Sequence, residues 1–277
     1  MHHDLETLFD LTGRVAVITG GSGLLGYKHA EVIAAAGGLP VLVDLVAAQP
    51  EAKAEQLASN YGVTAMGSVT DITDAAQVKA LLSAVLERFG TVDILINNAA
   101  NNPKVEASSG AAWSRLESFP LDAWEADIAV GLTGAFLCSQ AIGSEMARRN
   151  KGVILNIASD LAVIAPDQRL YRQEDLPDDQ QPVKPVTYSV VKTALVGLTR
   201  YLATYWAGSG VRVNAISPGG VYNGQPDEFV RRLSALVPLS RMARLDEYQG
   251  AILFLCSDAS SYMTGANLVI DGGRSSW

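Results

Sequence analysis

The sequence predicts an α/β fold built on a doubly wound parallel sheet, and three observations carry that expectation. Apolar runs of strand length alternate with longer stretches of helical period. The runs are apolar on both faces, as in a parallel sheet covered by helices on each side through right-handed crossovers. A glycine-rich turn follows the first run directly.

The elements follow in order. RVAVIT (14–19) is the first strand and runs into TGGSGLLG, from Thr19 to Gly26, which opens a helical pattern. LPVLVDL (39–45) carries Asp44 near its end, and VTAMGSV (63–69) is followed by Asp71. A helix from Asp74 to Phe89 leads to VDILINNA (92–99), and a longer one from Leu121 to Arg149 leads to GVILNIAS (152–159). The stretch from Val186 to Trp206 is helical, VRVNAIS (211–217) follows it, and NLVID (267–271) closes the series. Composition shifts once, from Pro166 to Pro185, a proline-rich, acidic and aperiodic segment. It reads as a loop inserted into one domain spanning 1–277, not as a linker.

With 277 residues, 48% of them hydrophobic and 18% charged, the chain can bury a full core. The net charge of -8 would repel the phosphates of nucleic acids and anionic membranes, which leaves small molecules as the expected partners. Cys138 and Cys256 lie far apart in helical stretches, read as buried filler, and fit a reducing cytoplasm. The opening MHHDLETLFDL lacks a positive region followed by an apolar run, and no apolar stretch reaches the roughly twenty residues of a membrane span. His2, His3 and His29 are the only histidines, and no ligand spacing suggests a metal cage.

Gly21, Gly23 and Gly26 form G-x-G-x-x-G between a strand and a helix, the setting in which glycine lets the backbone approach a pyrophosphate. The helix that begins there points free N–H groups and its positive dipole end at the phosphates. Asp44 stands where a carboxylate accepts hydrogen bonds from the adenosine ribose, and no arginine lies beside it in sequence to receive a 2′-phosphate. NAD is therefore expected over NADP. Asp71 either contacts adenine or caps the next helix. Tyr188 and Lys192, in YSVVK, are spaced i and i+4 on a helix, so the ammonium can lower the phenol pKa toward neutrality and let it move a proton.

In chain order, TGGSGLLG, Asp44, Asp71, Asn97-Asn98-Ala99-Ala100, Ser159, YSVVK, Ser217-Pro218-Gly219-Gly220 and the tail DGG resemble the short-chain dehydrogenase/reductase family over nearly the whole length. The resemblance implies a seven-stranded Rossmann-type sheet, an NAD-dependent oxidoreductase and a homotetramer or homodimer. It assigns Tyr188 as acid/base, Lys192 as ribose ligand and pKa modifier, and Ser159 as partner of the substrate oxygen. Around the cofactor it places Gly20, Gly21, Ser22, Gly23, Leu25 and Gly26, then Asp44, Leu45, Asp71 and Ile72. Asn97, Ala99 and Ala100 would lie by the nicotinamide-side ribose, with Pro218, Gly219, Gly220 and Val221 against the carboxamide.

Three departures from the family pattern stand out. The segment that usually carries a catalytic asparagine reads Val130-Gly131-Leu132-Thr133-Gly134, so Gly131 has no side chain to hold a relay water. The TGxxGxxG spacing is similar to that of the extended, nucleotide-sugar branch, although length and tail favour the short branch. Ser159 and Tyr188 stand 29 positions apart instead of roughly a dozen, and the excess is the acidic insertion, which should emerge beside the active site.

The insertion's Asp167, Arg169, Arg172, Glu174, Asp175, Asp178 and Asp179 suit a polar substrate such as a polyol, sugar or nucleotide-linked sugar. Tyr222 and Asn223, with Gln225, could hydrogen-bond its hydroxyls from a closing loop, or belong to a solvated one. Arg231, Arg232, Arg241 and Arg244 read as a solvated face before they read as a phosphate site. The expected reaction interconverts a secondary alcohol and a ketone. The alternatives are an NAD-using nucleotide-sugar epimerase or dehydratase, or an NAD-binding protein with little activity.

Overall fold

A computed structural model describes residues 5–101 and 111–277; His2 and His3 lie outside them. The strands β1 (Val15–Thr19), β2 (Leu39–Asp44), β3 (Met66–Val69), β4 (Ile94–Asn97), β5 (Gly152–Ile157), β6 (Val211–Pro218) and β7 (Asn267–Ile270) form one seven-stranded sheet. Its order is β3-β2-β1-β4-β5-β6-β7, and every pairing is parallel. The doubly wound sheet inferred from the alternation of runs is what the chain builds.

Alternate residues along each strand feed opposite cores. Ile18, Leu42, Ile96 and Leu155 pack with Ile33 of α2 (Leu24–Ala35), Leu57 of α3 (Pro50–Tyr61) and Ile252 of a later helix on one face. Val17, Val43, Leu95 and Ile154 pack on the other face, with Val78, Leu81 and Val85 of the helix Ala75–Phe89. We number the short Leu5–Phe9 helix α1, Ala75–Phe89 α4, Leu121–Arg148 α5, Val186–Tyr205 α6, Asp227–Ala235 α7 and Gln249–Cys256 α8. Each fully buried Leu or Ile contributes about 1.5–3 kcal/mol, so this double layer is the main source of stability.

The N-cap of α4 is Asp74, whose carboxylate accepts from Ala76 N at 2.7 Å and Gln77 N at 3.3 Å. Asp71 is not the cap; its Oδ1 is held by Thr73 N and Thr73 Oγ1 in a local turn.

Helix α5 runs for 28 residues with mean hydropathy 1.3 over its most apolar window. By length and composition alone it could cross a membrane, contrary to the expectation from the linear sequence. Yet 44% of that window is buried inside the fold, where Cys138, Ile142 and Met146 pack against the sheet as a core helix does. Two wide π turns interrupt it, at Ala129–Thr133 and Ser139–Gly143.

The insertion folds back onto the domain. Leu170 packs with Leu233 and Met242, the Tyr171 ring lies 5.7 Å from that of Phe229 in α7, and buried Gln181 hydrogen-bonds the backbone of Gln173 and Leu176. Its acidic residues and arginines turn outward: Arg169 pairs with Asp167 at 2.7 Å and Arg172 with Asp178 at 2.9 Å, while Glu174, Asp175 and Asp179 are exposed. The polar set read as suited to a polar substrate is therefore surface, because only there can so many ions keep their hydration.

Candidate active site

The glycine turn, Asp44, Asn97, Ser159 and Pro218 all lie at the carboxyl ends of strands, the edge where open parallel sheets bind ligands. Gly20 has φ +61°, and a Cβ there would meet Ala99 Cα at 3.0 Å. A Cβ at Gly26 would collide with the Gly20 carbonyl, so helix α2 can start only against bare backbone. Asn98 ties this turn to β4 by donating to the carbonyls of Thr19 and Gly20 at 3.0 and 3.1 Å.

A dinucleotide fits this cradle on observations independent of any relative. The α2 N-terminus has no side-chain cap, and the buried Ser22 Oγ has no protein partner. Both are donors of the kind a pyrophosphate would satisfy. Asp44 is fixed at the rim, its Oδ2 accepting from Ser22 N at 3.1 Å and its Oδ1 from Leu45 N at 2.9 Å. The sequence shows no arginine beside Asp44, but folding brings the Lys53 ammonium of α3 to the Ser22 carbonyl at 2.5 Å. One carboxylate and one ammonium thus both bond to Ser22 at this rim.

Not every expected contact faces the cradle. Asn97 is buried in the sheet, where Nδ2 donates to Ser139 Oγ at 3.0 Å and Asn156 Oδ1 at 2.8 Å, so its side chain organises the core under the site. Ile72 turns its side chain into the core below α5. Tyr222 and Asn223 are exposed on the loop after β6. Arg231 pairs with Glu228, and Arg241 and Arg244 with Glu247, on the solvated face, whereas Arg232 pairs with Glu228 and turns under the insertion to donate to the Arg169 and Arg172 carbonyls.

The catalytic candidates do come together. Tyr188 projects from the first turn of α6, half-buried, with the Ser159 hydroxyl hydrogen-bonded to its phenol. Lys192, one turn on and 5% exposed, donates to the Ile157 carbonyl at 2.7 Å. Its Nζ lies 5.9 Å from the Tyr188 ring centroid. The expected lowering of the phenol pKa is not what the protein chain alone produces. Burial raises it, the Ser159 hydrogen bond opposes that, and the Asp160 charge raises it further. Lys192 is itself pulled down to about 8 by burial and then by the Lys184 charge.

Lys184 is a participant that no spacing in the sequence marks. It comes from the end of the insertion and sets its ammonium 3.8 Å from the centroid of the Tyr188 ring. Burial draws it down to about 8, and Asp160 and Asp127 partly offset that. Tyr171, also from the insertion, is pushed up to about 12 by burial and the nearby Tyr188. The insertion thus reaches the active site through Tyr171 and Lys184, not through its acidic residues.

Behind Ser159 lies a buried ion pair. Asp160 Oδ1 accepts from Ser159 Oγ at 2.8 Å, and Asp160 Oδ2 accepts from Arg274 Nη1 at 2.7 Å. Leu161 N donates to both Ser159 Oγ and Asp160 Oδ1. Arg274 therefore fixes Asp160, and Asp160 with Leu161 N fixes the Ser159 hydroxyl beside Tyr188. Among the described residues, no group of three or more His, Cys, Asp or Glu could hold a metal.

Comparison with known proteins agrees with this geometry. Residues 14–171 match the family model described as short chain dehydrogenase, and 180–275 match one described as Enoyl-(Acyl carrier protein) reductase. A D-threitol dehydrogenase of Mycolicibacterium smegmatis is 36% identical, covering 96% of this chain and 94% of its own. An NAD-dependent glycerol dehydrogenase of Listeria innocua is 32% identical, covering 96% and 95%. A crystal structure of a gluconate 5-dehydrogenase from Burkholderia cenocepacia, in complex with NADP and tartrate, superposes with TM-score 0.86 at 29% identity, covering 99% and 100%. With its sheet order, glycine cradle and Ser159–Tyr188–Lys192 cluster accounted for, the chain belongs to the short-chain dehydrogenase/reductase family, whose members are oxidoreductases that bind a nicotinamide cofactor and act on small molecules.

Proposed function

We propose that this protein is an NAD(H)-dependent dehydrogenase that interconverts a secondary alcohol and a ketone on a polyol or sugar-like substrate. The observation that carries the reading is the Tyr188 phenol, set with the Ser159 hydroxyl, the half-buried Lys184 and the buried Lys192. When bound, the nicotinamide supplies a two-electron acceptor or donor of hydride at the carbinol carbon. Tyr188 takes the alcohol proton as oxidation proceeds and returns it in reduction. Ser159 holds the substrate oxygen, and the Lys192 ammonium stabilises negative charge at the phenol. Gly20 to Gly26, Asp44 and Leu45 would hold the nucleotide, with Asp71, Ala99, Ala100 and Pro218 to Val221 along its length.

The Asp44 carboxylate supports NAD over NADP, because it accepts from ribose hydroxyls and repels a 2′-phosphate. Lys53 makes the preference modest. Relatives named for threitol and glycerol support a polyol substrate. Two free, buried cysteines support a cytoplasmic setting, and exposed Phe136, Tyr201 and Tyr205 on α5 and α6 support a dimer or tetramer.

The test is NADH formation against glycerol, tetritols to hexitols, aldonates and nucleotide sugars, with NADP and Tyr188→Phe as controls. Turnover of a polyol with NAD, lost in Tyr188→Phe, is the expected result. NAD retained through purification with no net consumption would instead mark an epimerase or dehydratase. Binding of NAD without any turnover would mark a protein that keeps the cradle and has lost the chemistry.

A further inference from the structure

Helices α5 and α6 meet at Gly131 and Val191. A Cβ on residue 131 would lie 2.6 Å from Val191 Cγ1, so the branched side chain of α6 fills the space that a larger residue at 131 would need. Next to this contact remains a cavity of about 10 Å³ for the centre of a water molecule, lined by Asp127, Gly131, Thr187, Tyr188 and Lys192, with Asn101 at its edge. That is room for a single water, beside residues that carry a carboxylate, a hydroxyl, a phenol and an ammonium.

Asp127 lies one helical turn before Gly131 and is only 9% exposed. Its Oδ2 accepts from Thr187 Oγ1 at 2.5 Å, and Thr187 immediately precedes Tyr188. The Asp127 charge also reaches Lys184, which covers the Tyr188 ring. In the wide turn of α5, Gly134 N donates to Ala129 O five residues back, and Asp127 and Gly131 both border the cavity between α5 and α6.

The geometry points to Asp127 as a positioning residue of the proton path, acting on Tyr188 through one water in this cavity and replacing the side chain that Gly131 lacks. It rests on the dehydrogenase reading above. In oxidation the carbinol C–H bond breaks, a bound nicotinamide would take up the hydride with its electron pair, and the substrate O–H proton passes to the Tyr188 phenolate. The phenol then gives its proton to the cavity water, which gives one of its own to the Asp127 carboxylate. The carboxylic acid releases that proton to solvent beside Asn101, which is exposed. One hydride and one proton leave the substrate, and Asp127 ends as it began.

Asp127→Asn keeps an acceptor for Thr187 but cannot take a proton. Its kcat should fall about tenfold to a hundredfold with KM within about twofold, and added formate should restore part of the rate as a diffusible proton acceptor. A lost fold would change neither ratio in that way. Wild-type kcat in Asp127→Asn overturns the inference, as does a fall in kcat that formate leaves untouched. If Asp127→Asn does not fold, a high-resolution crystal structure of the wild-type protein decides. An ordered water within hydrogen-bond reach of Asp127 and of Tyr188 or Lys192 supports the path, and an empty cavity overturns it. A wild-type protein inactive on every alcohol tested defeats the dehydrogenase reading itself, whereas an active wild type with an indifferent Asp127→Asn defeats only the relay.

Discussion

The half of the molecule from β1 to β4 and the half from β5 to β7 build their parts of the site by opposite means. In the first half the candidate cradle is mostly backbone: two glycines and an uncapped helix start, joined by one carboxylate side chain, all within 25 residues from Gly20 to Asp44. In the second half side chains converge from afar. Arg274 reaches Asp160 across 114 positions, Thr187 reaches Asp127 across 60, and Lys184 arrives from an insertion to cover Tyr188. The first half is rigid because its conformations are sterically forced. The second half is rigid because buried charges have partners they cannot lose.

Perturbations should separate the two. The largest effect belongs to Tyr188→Phe, expected to lower kcat/KM by about 10³-fold or more while leaving NAD affinity, read by fluorescence titration, within a few-fold. Equal loss of both would erase the distinction between the halves. Next is Arg274→Met, which strands the Asp160 carboxylate in a dry site and should cost about 3–5 kcal/mol in urea unfolding. Adding Asp160→Asn should recover most of that stability but not the orientation of Ser159, so kcat stays low.

A pH effect of about 3 kcal/mol tests the first half. His29 of α2 is 2% exposed with neither ring nitrogen hydrogen-bonded, and burial lowers its pKa from 6.5 to about 4. Between these values the unfolded chain binds more protons than the folded one, so this contribution rises with pH from about 4 to 6.5 and is lost as the solution is acidified through that window. His29→Leu should flatten that part of the stability–pH curve. Smallest is Gly26→Ala, whose methyl would displace the Gly20 carbonyl; a weakening of NAD binding by about 1–3 kcal/mol is expected, with the Tyr188 cluster untouched.

The same division explains what could be read before folding. The strands, the glycine turn and Asp44 were legible because each is set by local pattern: alternation, sterics, and a carboxylate at the end of a strand. Tyr188 and Lys192 were legible because helical geometry alone joins i to i+4. Lys184, Asp160, Asp127 and Arg274 were not, since their meaning lies in contacts made only after the insertion and the last strand have packed. Asn97 shows the reverse, a residue at a site position whose side chain the sheet core claims. The acidic insertion misled for a related reason: composition reports that charges are present, and only packing decides which way they face.

The Asp160–Arg274 pair also gives this protein a schedule. On the ribosome Asp160 is made 114 residues before its counter-ion, so the loop after β5 cannot take its dry, oriented form until β7 has been threaded onto the sheet edge. A nascent chain halted anywhere in that interval would carry an Asp160 carboxylate still open to water. The hydroxyl of Ser159 therefore gains its fixed setting only when the last residues of the chain are in place.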